Sequence, residues 1–429
     1  MRARILIVVV AVAALAGLAV TLAAGREEPR AAAPAAAETP RPAASAGTAV
    51  RSAYGDVRAL AAIARRNGRT RAAGTAGDRA TADYIAQRLT AAGYRVRRQT
   101  FTVPVFDERR PPRLRTNGSG TVVPRTLEFS AAGRVTARLR PVAPGDADGG
   151  CAAADFAALR RGEIAVVPRG TCTLRAKALG AQRAGAAAVV IVNADDETFP
   201  GTLQRPGVRI PVVGVASTAR AALDDGTATL DVDVDSGNRR TANVIAERGS
   251  GRRVVMAGAH LDSVPAGPGM NDNASGVAAL LESAERLSAR VPRGATLRFG
   301  FWGAEELGLI GSRRYVDSLE RAERRAIAAY LNLDMVASPR PTPEVYDTDD
   351  RIERVLRDQL PDAGESDPGG SSDHAAFERA DIPVGGLFTG ASRRADQCYH
   401  RACDDLSNVD RGALATMTRA ARGALADLL

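Results

Sequence analysis

The chain has 429 residues, enough for one large core and a second, smaller domain. Apolar residues make up 45% and aromatics only 4%, so Ala, Val and Leu must fill the interior. The net charge of +9 is nearly all arginine, with Lys177 the one lysine; the basic residues are scattered and no aromatic-studded RNA motif accompanies them, which counts against nucleic-acid binding.

Arg2 and Arg4 precede an apolar run from Ile5 to Ala24 that closes on Ala23-Ala24-Gly25. A basic start, an apolar stretch and small residues at its end make an export signal, and the length also suits a membrane anchor. Residues 1–25 are therefore expected to be a signal peptide or anchor. The protein is expected to be secreted or at the cell surface, touching a membrane only if that segment stays uncleaved. No cysteine follows the run, which argues against a lipid anchor. Residues 26–49, rich in Ala and Pro without a hydrophobic period, read as a linker.

Leu60, Ile63, Ala82, Ile85 and Leu89 recur near helical spacing on either side of the loop Gly74-Thr75-Ala76-Gly77. Tyr94 to Val103 then alternates as a strand, with Pro104, Pro111 and Pro112 punctuating its exit. Residues 117–235 change character. Short Val-rich strands at Glu163–Val167 and Ala188–Val192 flank a small helix around Ala176–Ala184, and the stretch holds no histidine, as an inserted module would. From Thr241 onward strands are predicted at Arg253–Ala259, Ala295–Trp302 and Ala329–Val336, with helices at Gly276–Leu287 and Gly308–Ser318. This alternation predicts an α/β fold: a mixed, mostly parallel central sheet flanked by helices, built from residues 50–116 and 236–429. The insertion at 117–235 is expected to be a small, β-rich α+β domain.

Four cysteines in an exported chain suggest two local disulfides, Cys151–Cys172 and Cys398–Cys403. A thiolate zinc site is the alternative, weakened by the absence of any Cys-x-x-Cys pair.

The chemistry concentrates in His260, Asp272, Glu305, Glu306, Asp334 and His400. His260 directly follows a predicted strand, Glu305 and Glu306 follow the next, and Asp334 ends a third; Asp272 lies in a loop leading into a helix. In open α/β sheets sites form outside the carboxyl ends of the strands. The set supplies ligands for two divalent metals: Asp272 as the bridge, His260 with Asp334 on one ion, Glu306 with His400 on the other. Imidazole and carboxylate donors suit zinc. Asp262 is placed to accept the second imidazole N–H of His260. A water shared by two such ions becomes hydroxide near neutral pH. Glu305, not needed as a ligand, can take its proton and pass it to a leaving amine. A buried carboxylate such as Asp334 is costly unless paired or metal-bound, which argues against a purely structural reading of the set. Ser372-Asp373-His374 contains the residue types of a serine triad, but adjacent side chains cannot form the relay and no Gly-x-Ser-x-Gly elbow exists. His374 is read as structural or as lining the pocket.

The segments His260-Leu261-Asp262-Ser263, Asn271-Asp272-Asn273, Glu305-Glu306-Leu307-Gly308, Leu333-Asp334-Met335 and Cys398-Tyr399-His400 with Cys403-Asp404 resemble peptidase family M28, the di-zinc aminopeptidases. The likeness is strongest to secreted Streptomyces members, whose Gly-Leu-Phe-Thr-Gly segment recurs as Gly386–Gly390. The inserted module resembles a protease-associated (PA) domain through Arg169-Gly170-Thr171-Cys172, Lys177 and Ala184-Gly185-Ala186-Ala187. The resemblance implies a zinc-exopeptidase fold, two zinc ions, Glu305 as general base and Tyr399 as the phenol that stabilises the oxyanion. It also implies peptide or protein N-termini as substrates, with an apolar first residue and the ammonium held by Glu305 and Asp334. Where those members carry arginine before Ser-Asp-His this chain has Ser371, and its loop from Thr389 to Cys398 is shorter, so side-chain preference carries over least securely. A carboxypeptidase of the same family and a non-catalytic receptor on the same fold are the alternatives. A monomer is expected.

Overall fold

Short strands that are apolar at successive positions build a sheet with two buried faces. The computed structural model describes residues 51–117, 122–144, 146 and 148–429. The signal or anchor and the linker expected before residue 50 lie outside the described residues. Helices α1 (Ala53–Arg66) and α2 (Ala76–Ala91) come first, opened by Ser52 and Thr75, whose hydroxyls accept backbone N–H groups of the first turn. Strand β1 (Arg95–Thr116) follows. The insertion contributes β2 (Arg125–Thr126), β3 (Gly133–Pro141), β4 (Ile164–Pro168), α3 (Leu174–Arg183), β5 (Ala188–Val192) and β6 (Val212–Val215). Next come β7 (Thr227–Gly249), β8 (Arg253–His260), α4 (Ala274–Leu287), β9 (Ala295–Trp302), α5 (Ile310–Asp317), α6 (Arg321–Ala326) and β10 (Ile327–Leu333). The rest holds β11 (Glu344–Tyr346), α7 (Asp350–Gln359), β12 (Gly364–Ser366), α8 (His374–Glu378), β13 (Val384–Phe388) and α9 (Arg411–Leu428). Among the described residues no helix is long and apolar enough to cross a membrane.

The large domain's strands run in the order β12-β11-β13-β10-β8-β9-β7. β13, β10, β8 and β9 are parallel to one another, while β7 and β11 are antiparallel to their neighbours β9 and β13. The sheet is mixed and mostly parallel, as expected. Leu297, Phe299 and Phe301 turn to one face, against Leu60 of α1, Ile85 of α2, α4 and α9. Met256, Trp302 and Tyr330 turn to the other, against Tyr315 of α5 and Phe377 of α8. Each fully buried Leu or Phe contributes about 1.5–3 kcal/mol by leaving water, which is why two helical layers are required.

The insertion is not hung on flexible linkers. β1 and β7 pair antiparallel from Arg95↔Glu247 to Thr116↔Ala228, and β7 runs through the predicted 235/236 boundary into the module. There β3, β4, β5 and β6 form a parallel sheet, with β2 antiparallel on β6. The prolines predicted to end β1 do not end it. Its only strand partner among the described residues is β7, so a proline without an N–H sacrifices no bond on the open edge. Register shifts between Glu108 and Arg113 absorb Pro111 and Pro112. Cys151–Cys172 and Cys398–Cys403 are both disulfide-bonded, so no thiolate is left for a zinc site. Lys177 is buried in the module, where its ammonium donates to Gly149 O at 2.6 Å.

Candidate metal centre

The carboxyl ends of β8, β9 and β10 lie side by side. His260 is the last residue of β8, and Asp334 stands one position beyond β10 rather than inside it as predicted. Glu305 and Glu306 lie between β9 and α5; the helix starts only at Ile310, because Leu309 takes a left-handed conformation (φ 58°). Leu261 N–H donates to Trp302 O at 2.7 Å, which holds the His260 and Glu305 segments together. Asp272 immediately precedes Asn273, the N-cap of α4. The Asn273 side chain accepts Gly276 N–H at 2.9 Å and donates to Leu333 O at 2.9 Å, pinning the loop to the end of β10. The fit is close: a Cβ on Gly276 would stand 2.4 Å from Leu333 O.

These elements bring the five predicted ligands into two groups that share Asp272, one with His260 and Asp334, the other with Glu306 and His400; within each group the donor atoms lie within 4.8 Å of one another. Asp272 turns one oxygen to each imidazole, with Oδ1 3.1 Å from His260 Nε2 and Oδ2 3.2 Å from His400 Nε2. His260 Nε2 is also 3.2 Å from Asp334 Oδ1, and His400 Nε2 is 3.2 Å from Glu306 Oε2. Glu305 belongs to neither group but lines the same cavity of about 290 Å³, together with Met335, Ser371 and Tyr399. Tyr399 and His400 stack with ring centroids 3.8 Å apart, on the loop closed by Cys398–Cys403.

The electrostatics are those of too many carboxylates in too little water. Burial pushes Glu306 up to about 7, helped by the Asp272 charge. Burial also drives Glu305 well above the carboxylate range. His400 rises to about 10 through its hydrogen bonds to Asp272 and Glu306. His260 is buried, which disfavours its charged form, yet Asp334 and Glu305 raise it well above its ordinary value. Protons thus carry the positive charge that the cluster demands. Divalent cations would replace them, and the donor set, carboxylate oxygens and imidazole nitrogens, suits zinc. Glu306 Oε1 is buried without a hydrogen-bond partner, which leaves it a free donor atom.

One expectation needs correcting. Asp262 Oδ1 is 3.8 Å from His260 Nδ1, too far for a hydrogen bond, and it accepts Glu305 N–H at 3.1 Å instead. Asp262 therefore positions the general-base candidate directly. His374 is buried on α8, its Nε2 2.8 Å from Gly369 O and its ring edge-on to Tyr346; it is not among the residues lining the cavity.

Several supports were not foreseen. The Asp404 carboxylate accepts Asn271 N–H at 2.8 Å and Asp272 N–H at 3.0 Å, fixing the backbone of the shared carboxylate. Asp396 accepts the Asn271 amide at 2.8 Å, and Asn408 donates to both Asp396 and Asp404. Arg71 is wholly buried; its guanidinium donates to the carbonyls of Leu261, Pro268 (2.8 Å) and Gly269 (2.6 Å), clamping the chain between His260 and Asp272. Ser372 donates to Asp334 Oδ2 at 2.6 Å and is itself held by Asn332 at 3.0 Å. Of these, Asp404 stood inside a motif that the sequence marked, and Ser372 inside the triad that it discounted.

Comparison with known proteins agrees with this geometry. Residues 243–425 match peptidase family M28, and residues 135–223 match the PA domain. The chain is 38% identical over 398 residues to a probable lipoprotein aminopeptidase of Mycobacterium tuberculosis, covering 82% of this chain and 79% of that protein. It is 45% identical over 212 residues to leupeptin-inactivating enzyme 1 of Streptomyces exfoliatus, covering 44% and 48%. Its fold is similar to the solved zinc aminopeptidase of Bacillus subtilis, with a TM-score of 0.59, 29% identity, and coverage of 87% of this chain and 93% of that one. The chain therefore belongs to peptidase family M28, as a metallopeptidase with an inserted PA domain.

Proposed function

We propose that the chain is an exported zinc aminopeptidase that uses two zinc ions to remove apolar N-terminal residues from peptides. The observation that carries this reading is Asp272, whose two oxygens serve two separate histidine-carboxylate groups while Glu305 beside them serves neither. Bound there, zinc would supply a Lewis acid that acidifies a water and polarises the scissile carbonyl. Glu305 is placed to accept a proton from an attacking water and to deliver it to the leaving amine. Tyr399 stays a phenol, because burial and the surrounding carboxylates raise its pKa, and it donates a hydrogen bond to the developing oxyanion. Glu305 and Asp334 hold the substrate ammonium, and Met335 and Leu309 offer apolar walls to the first side chain. Two disulfides suit an exported chain.

Purified protein is expected to cleave leucine p-nitroanilide, to lose that activity in chelator and regain it with zinc, and to leave the N-acetylated substrate intact. Turnover of the acetylated compound, or indifference to the chelator, would sink the reading. Ser372→Ala is expected to weaken zinc binding by about 10- to 100-fold, since it frees the outer oxygen of Asp334. A competitive zinc titration measures this; wild-type affinity would show that the hydroxyl does not orient Asp334.

A further inference from the structure

A second cleft, of about 530 Å³, opens off the catalytic cavity, and the two share Gly308 and Arg313. Arg313 lies on the exposed side of α5, while Gly311, Ser312 and Tyr315 of the same helix are buried and hold it in place. The neighbouring Arg314 is engaged, its guanidinium 5.6 Å from the centre of the Phe101 ring. Arg313 makes no side-chain hydrogen bond or ion pair among the described residues. The other ionisable groups lining the catalytic cavity are the carboxylates Asp272, Glu305, Glu306 and Asp334, two imidazoles and the Tyr399 phenol. Arg313 is the one guanidinium on that lining.

An aminopeptidase encloses the first residue of its substrate and must let the remainder leave. The remainder here has an outlet past Arg313 into the adjoining cleft. In a dipeptide that remainder is a single residue ending in a carboxylate. A free guanidinium meets a carboxylate with two parallel hydrogen bonds, a geometry that an ammonium cannot copy. We propose that Arg313, at the junction of the two cavities, binds the C-terminal carboxylate of dipeptide substrates and so selects them over C-terminally blocked ones. The inference rests on the aminopeptidase reading.

The test compares leucyl-alanine with leucyl-alanine amide in the wild-type protein, Arg313→Ala and Arg313→Lys. The ratio of kcat/KM for the free acid to that for the amide is expected to fall about 10- to 100-fold in Arg313→Ala, mainly through KM, and to recover in part in Arg313→Lys. A ratio equal to that of the wild type, or a loss shared equally by acid and amide, would overturn the assignment. Leucine p-nitroanilide run alongside separates the two ideas: a wild-type protein unable to cleave it would overturn the aminopeptidase reading, and this inference with it.

Discussion

Glu305→Gln is expected to keep the wild-type metal content and to lose turnover by about 10²- to 10⁴-fold, the usual worth of a positioned general base. The substitution preserves size and leaves the backbone N–H that donates to Asp262, so the loop should hold its place. What disappears is the capacity to accept a proton. Glu305 is outside both ligand groups, and for that reason metal content is the discriminating measurement. Zinc analysis of the purified variant should return the wild-type value beside a collapsed kcat on leucine p-nitroanilide. A variant that has lost metal would make Glu305 a ligand and place the base elsewhere.

Asp272→Asn is expected to act in the opposite way, emptying the site. Each ion would lose an anionic oxygen from the one residue common to both groups, and a neutral amide presents a single acceptor oxygen in their place. Zinc stoichiometry at equilibrium should fall below one ion per chain, with activity at background. The fold itself should persist, because Asp404 grips the backbone N–H groups of residues 271 and 272 and not the exchanged side chain. Circular dichroism and thermal unfolding check this point. Retention of both ions at wild-type affinity would remove Asp272 from its bridging role.

The candidate ligand set could be picked out because it lies next to elements that announce themselves. The strands ending at His260, Trp302 and Leu333 are largely apolar runs, and a charged or imidazole residue at or just past the end of such a run stands out. Family motifs then assigned the roles. What holds the ligands in place was not legible. Arg71 reaches across 190 to 198 residues of sequence to the carbonyls it clamps, and a bond of that span leaves no periodicity near either end. It was also one arginine among dozens. Ser372 was visible but was set aside with a false triad, when its partner lies on another strand's end, at Asp334. The prolines of β1 misled for a different reason: their cost depends on which edge of a strand is paired, and a single chain segment does not say.

The segment from Asp396 to Asn408 has a bearing on timing. It carries His400, and through Asp404 it also fixes the loop of Asp272. Both groups of ligands therefore wait on residues near the far end of the chain. A polypeptide made and threaded across a membrane from its N-terminus would present His260, Glu306 and Asp334 first, with neither the last imidazole nor the clamp on the shared carboxylate. The two groups would stay incomplete until residues 396–408 have emerged.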